Sequence, residues 1–127
     1  MRLRGLDHVV LTVRDPGRTV AFYAALGAME VRFGEGRRAL EIGRQRINLH
    51  VAGAEFDPHA RTPAPGSGDL CLLLDGTVDE AVAELARAGI PVEVGPVPRT
   101  GAAGPLRSVY VRDPDGNLVE LAQVLPA

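Results

Sequence analysis

Leu6-Asp7-His8-Val9-Val10-Leu11-Thr12-Val13 opens the first regular element: β-branched residues dominate it, and its alternation predicts a strand. Asp15-Pro16-Gly17 ends that strand, and residues 19–26 place Val20, Tyr23, Ala24 and Leu26 on one helical stripe before Gly27. Short strands follow over 29–33, 38–42 and 46–51, separated by the turns Gly34-Glu35-Gly36 and Gly43-Arg44-Gln45. The first half therefore reads strand, helix and three strands.

Residues 52–68 carry Gly53, Pro58, Pro63, Pro65, Gly66 and Gly68 without a sustained period, which predicts a linker. Beyond it the same order returns. Strand 70–74 leads to helix 78–88 and strand 90–94, then a Pro/Gly-rich loop through Pro105 and strands 106–112 and 117–124. The two halves can be laid on each other. Leu26-Gly27 meets Ala88-Gly89 and Val20-Ala21 meets Val82-Ala83, both 62 residues on; His8 meets Asp69 at 61, and Asn48 meets Glu120 at 72. The drift is loop insertion, chiefly in the 95–105 loop and the Asp113-Pro114-Asp115-Gly116 turn. The expectation is an α+β chain forming one domain over 1–127, with module one at 5–51, a linker at 52–68 and module two at 69–125.

Composition agrees with a single domain and narrows the partners. The 127 residues, 46% of them hydrophobic, can close about one ordinary core. A formal net charge of −2 argues against nucleic-acid binding through bulk positive charge, and 4% aromatic residues without Trp leave little for stacking on bases. The longest uncharged apolar stretch, 70–74, is far short of the roughly 20 residues of a membrane-spanning helix, and Met1-Arg2-Leu3-Arg4 leads into no signal-peptide core. A soluble, cytoplasmic protein is expected, with no nucleic-acid or membrane partner. The single cysteine, Cys71, excludes an intrachain disulfide, and its apolar surroundings predict a buried small hydrophobe.

Strand alternation then sorts the polar residues. With Val9, Leu11 and Val13 under the helix, His8, Val10 and Thr12 take the opposite face; with Leu49 and Val51 inward, Asn48 and His50 join His8. Module two likewise puts Asp69 with Cys71, Ser108 with Tyr110, and Glu120 with Ala122, and Glu41 falls on the same side because Leu40 and Ile42 take the core. The gathered set is His8, Glu41, Asn48, His50, Asp69, Tyr110 and Glu120. Imidazoles and carboxylates from separate strands suit a divalent ion with open positions for water or substrate; without thiolates, Zn, Ni, Mn, Co and Fe(II) all remain. Glu120, inside Leu118-Val119-Glu120-Leu121, is costly to bury without a cation or donors. Other readings compete: His8 as a partly exposed residue bonded to its neighbours, Asp69 as a cap, and His50 as a ligand or a substrate contact. Asp113-Pro114-Asp115-Gly116-Asn117 is a tight turn, and Gly101-Ala102-Ala103-Gly104 lacks the context of a phosphate loop. Arg99 or Arg107 can meet an anionic substrate group, whereas Arg37, Arg38, Arg44 and Arg46 read as a solvated sheet edge.

The opening 6–13, the helix phrase Thr19-Val20-Ala21-Phe22-Tyr23 ending at Leu26-Gly27, and Asp113-Pro114-Asp115-Gly116-Asn117-Leu118-Val119-Glu120 together resemble the vicinal-oxygen-chelate superfamily of glyoxalases, bleomycin-resistance proteins and dioxygenases. Arg46-Ile47-Asn48-Leu49-His50, residues 63–72 and Gly95-Pro96-Val97-Pro98-Arg99-Thr100-Gly101 are similar to its glyoxalase domain-containing protein 5 branch and to bacterial virulence-associated relatives. The resemblance implies two βαβββ modules in an incomplete barrel, a divalent metal, a small-molecule substrate and a homodimer. His8 and Glu120 match ligand positions. Asn48 stands at a third, and Asp69 replaces the histidine usual at the fourth, with His50 placed to compensate. The implied chemistry is that of a lyase or isomerase in which the ion polarises adjacent substrate oxygens while Glu120 or Glu41 moves a proton. Alternatives are an Fe(II) dioxygenase using His8, His50 and Glu120, and a metal-free binder of drug-sequestering type. Asn48, Tyr110, Arg99 and Arg107 are the expected substrate contacts.

Overall fold

The computed structural model describes all 127 residues, which divide into two compact units, Met1–Ser67 and Gly68–Ala127. The first unit runs β1 (His8–Val13), α1 (Pro16–Ala25), β2 (Met29–Phe33), β3 (Arg37–Ile42) and β4 (Gln45–Val51). Its four strands form one mixed sheet in the order β1-β4-β3-β2, parallel between β1 and β4 and antiparallel elsewhere. The second unit repeats this with β5 (Asp69–Leu73), α2 (Val78–Ala88), β6 (Val94–Gly101), β7 (Gly104–Arg112) and β8 (Leu118–Val124), in the order β5-β8-β7-β6. The fold is α+β, with two four-stranded mixed sheets.

The ladders reproduce the repeat residue for residue. In the first unit His8 is opposite Arg46 and Val10 opposite Asn48; in the second, Asp69 is opposite Leu118 and Cys71 opposite Glu120. Both members of each pair are therefore related by the offsets read from the sequence, 61 on the first strand and 72 on the last.

Local chemistry sets the elements. Helix α1 starts three residues earlier than its apolar stripe suggests, because Asp15 caps it by accepting from the Arg18 amide at 3.2 Å and Pro16 occupies the first turn, where no N–H is needed. Thr19 and Tyr23, one turn apart, are its buried residues. Helix α2 is capped by Thr77, which accepts from Glu80 at 3.1 Å, and stops at Gly89 with φ 71°, the left-handed conformation glycine adopts without steric cost. Its buried Val78, Ala81 and Leu85 form one stripe, and α2 packs on β7 and β8. There Val109, Val111 and Val119 are fully buried, each contributing about 1.5–3 kcal/mol of transfer free energy.

Two expectations are corrected by these elements. Residues 90–93 do not form a strand; β6 begins only at Val94 and takes in most of the supposed Pro/Gly-rich loop. Because β6 pairs only with β7, its outer edge tolerates Pro96 and Pro98, and the register shifts between Val94 and Val97. Cys71 is exposed, since it alternates to the face opposite the helix. Residues 52–67 lack regular structure and pack back on their own unit, bringing the Phe56 ring edge-on to His50 at 5.6 Å. No helix is long and apolar enough to cross a membrane.

Candidate functional site

In the first unit His8, Arg46 and Glu41 form one cross-strand row on the face away from the buried Leu11, Ile47 and Leu49. Asn48 follows in the next row and His50 in the one after. The His8 Nδ1 lies 2.8 Å from Asp7 Oδ1. A carboxylate only accepts, so Nδ1 carries the proton and the lone pair of the neutral ring is at Nε2. The His8 side chain is 46% exposed, leaving that nitrogen within reach of a partner. Asn48 Oδ1 and His50 Nδ1 are both buried without a hydrogen-bond partner, the kind of vacancy that a folded protein rarely keeps. His50 is held neutral: burial, then Arg37 and His59, push its pKa below 6.5 against a smaller opposing effect of Glu55. Glu41 is half-exposed, 3.6 Å from Arg46.

In the second unit the row equivalent to that of Asn48 is Cys71, Glu120 and Tyr110. Ser108 Oγ donates to Glu120 Oε2 at 2.7 Å, and the Cys71 thiol is also hydrogen-bonded to this carboxylate. Although the residue as a whole is exposed, desolvation of its partly covered sulfur first, then the Glu120 charge and that bond, push the Cys71 thiol up to about 11, so it is not a thiolate near neutrality. Arg99 Nε donates to the Tyr110 hydroxyl at 2.8 Å, and the guanidinium lies 5.3 Å from the ring centre. Asp69 is exposed at the start of β5 on the same face.

Each sheet thus brings its predicted residues to one face, with one exception. Arg107 falls between Leu106 and Ser108 on β7, and alternation turns it to the helix side, where it pairs with Asp79 of α2 at 3.0 Å. It is not on the Glu120 face. Within neither unit do three or more His, Cys, Asp or Glu side chains converge as a ready ion site. Asp7, Ser108 and Cys71 are the partners the sequence reading left out of the site. The signals were adjacency to His8 for Asp7 and the period of two for Ser108 and Cys71, which share a face with Tyr110 and Asp69.

Two βαβββ units of identical strand order, with an imidazole and a carboxylate at equivalent strand faces, define a duplicated α+β fold. Residues 5–121 match the Glyoxalase/Bleomycin resistance protein/Dioxygenase superfamily, and the chain belongs to it. It is 52% identical over 122 residues to the glyoxalase domain-containing protein RDO1 of Mycosarcoma maydis, covering 96% of this chain and 69% of that protein. It is 49% identical over 119 residues to the virulence protein STM3117 of Salmonella typhimurium, covering 93% of this chain and 83% of the other. The crystal structure of that virulence protein superposes with a TM-score of 0.96 at 47% identity, over 98% of this chain and all (100%) of that one. A lactoylglutathione lyase from Agrobacterium tumefaciens superposes with a TM-score of 0.73 at 29% identity, over 96% of this chain and 95% of the lyase.

Proposed function

We propose that the chain is a metal-dependent lyase or isomerase acting, as a homodimer, on a small molecule with adjacent oxygens, with His8 and Glu120 as principal ligands of a divalent ion. The observation that carries this reading is the Asp7–His8 contact of 2.8 Å, which fixes the ring tautomer as metal-ligating histidines have it fixed, by an outer carboxylate. The donors fit a borderline-to-hard ion: an imidazole nitrogen, the Glu120 carboxylate, and the partnerless amide oxygen of Asn48. Asp69 and His50 are the further candidates. When bound, such an ion supplies Lewis-acid polarisation of substrate oxygens.

The chain's own residues supply the rest. Ser108 and Cys71 both donate to Glu120, orienting its carboxylate. Glu120 is then the group that accepts and returns a proton at the substrate carbon, with Glu41 the alternative base on the other sheet. Tyr110, adjacent to Glu120 across the ladder, and Arg99, bonded to it, offer a hydroxyl and a guanidinium to a polar substrate group. The likeness to a lactoylglutathione lyase supports the lyase reading over oxygen chemistry.

Elemental analysis and calorimetric titration with Zn²⁺, Ni²⁺, Mn²⁺ and Fe²⁺ test it. The intact protein is expected to take about one ion per chain, with a His8→Ala or Glu120→Ala variant losing at least tenfold in affinity, the loss typical even of outer-shell disruption. Unchanged metal affinity in both variants contradicts the assignment.

A further inference from the structure

The first unit contains a cavity of about 340 Å³ lined by Asp7, Glu41, Arg44 and Arg46. Arg44 is at the tip of the β3–β4 turn and makes no hydrogen bond or ion pair, so its guanidinium is uncommitted. Arg46 is engaged only loosely: its 3.6 Å separation from Glu41 exceeds the 2.7–2.9 Å of a charge-assisted hydrogen bond, and its guanidinium lies at the outer limit of a cation–π contact, 5.9 Å from the Phe33 ring centre. Asp7 already has one oxygen on His8. The cavity therefore offers two guanidiniums against carboxylates that each have a cationic or imidazole neighbour.

We infer that this cavity is a carboxylate-binding subsite, with Arg44 as the main contact and Arg46 turning from Glu41 to share the ligand. Arg46 already faces Glu41 and Asp7 already faces His8, so Arg44 is the one unbalanced charge: it compensates a singly charged carboxylate and leaves a phosphate dianion half-compensated beside two acids. The planar guanidinium fork matches a carboxylate edge-on. Position gives the subsite its use. His8, Arg46 and Glu41 occupy one row on three neighbouring strands, and strands lie about 4.8 Å apart, so a carboxylate at Arg46 sits roughly 5–10 Å from the His8 ring. A substrate of a few carbons, with its reacting oxygens near His8 and an acidic tail in the cavity, spans that distance. This use as a substrate subsite rests on the reading of His8 as a metal ligand; carboxylate binding itself does not.

The test is a titration of the EDTA-treated full chain with propionate, and separately with inorganic phosphate, followed by two-dimensional amide NMR. Propionate is expected to shift the amides of Gly43, Arg44 and Gln45 and to bind more tightly than phosphate. Arg44→Gln is expected to raise its Kd about tenfold, the effect of losing one charge-assisted contact. Glu41→Gln, which removes the competitor for Arg46, is expected to lower it. Absence of the turn shifts, an unchanged Kd in Arg44→Gln, or tighter phosphate binding overturns the subsite. Because the titration is free of metal, its failure is distinct from failure of the His8 and Glu120 assignment. If propionate binds as expected while those two variants keep full metal affinity, the carboxylate site stands and its role beside His8 does not.

Discussion

Replacing Asn117 with Ala tests the joint that positions the last strand, and its cost can be worked from the contacts. Asn117 is 1% exposed; its Oδ1 accepts from the Gly68 amide at 2.7 Å, and its Nδ2 donates to Asp113 Oδ2 at 2.8 Å. Its own amide bonds Asp113 Oδ1 at 3.0 Å, and that bond survives in the variant. The variant thus loses one neutral bond and one bond to a carboxylate, and leaves the Gly68 N–H without its side-chain acceptor. At about 0.5–1.5 and 1.5–3 kcal/mol, the two bonds together give a loss of roughly 2–4.5 kcal/mol. Urea unfolding followed by far-UV circular dichroism should show a lower midpoint at unchanged slope, and thermal unfolding a melting point lower by on the order of 10 °C. Asn117→Asp keeps the acceptor for Gly68 but sets a second carboxylate against Asp113, so at pH 7 it should be at least as unstable and should recover as pH falls. An Ala variant within about 0.5 kcal/mol of the parent refutes the argument that this turn ties β8 to the start of β5.

Gly95 has φ 104°, and a Cβ there would lie 2.5 Å from the Ser108 carbonyl oxygen, so Gly95→Ala should cost roughly 2–4 kcal/mol in urea titration; a neutral outcome contradicts the tight approach of β6 to β7. With its thiol near 11, Cys71 should be alkylated slowly by iodoacetamide at pH 8; Glu120→Gln removes a charge that disfavours the thiolate, so the rate should rise several-fold, and an unchanged rate denies the Glu120–Cys71 contact. His50 has a folded pKa below 6.5, so the unfolded chain binds the extra proton first; its contribution to stability is complete above pH 6.5 and falls away as pH drops below that value. Urea midpoints between pH 7.5 and 5 should fall less steeply in His50→Gln than in the parent, and parallel curves would exclude His50 as the source.

The duplicated order of elements was legible because strand and helix periods recur at fixed offsets, and the ladders put His8 with Asp69 and Asn48 with Glu120 at equivalent places. Strand β6 was not, because Gly95, Pro96 and Pro98 look like a loop until the sheet order makes their strand an edge. The exposure of Cys71 was hidden by an unbroken apolar run, which carries no sign of which face is covered. Arg107 shows the opposite case, since alternation from Ser108 and Tyr110 already places it on the helix side; its role as an anion contact ignored that period. The pairing of Phe56 with His50 depends on how an aperiodic segment folds back, which residue spacing does not encode.

A crystal structure of the metal-loaded protein, with anomalous scattering recorded at the absorption edge of the bound ion, tests whether His8 and Glu120 hold one ion. An anomalous peak is expected at bonding distance, about 2.0–2.2 Å for zinc, from both the Nε2 of a His8 and a carboxylate oxygen of a Glu120. A peak bonded to neither, or no peak in a crystal grown with excess metal, contradicts that assignment.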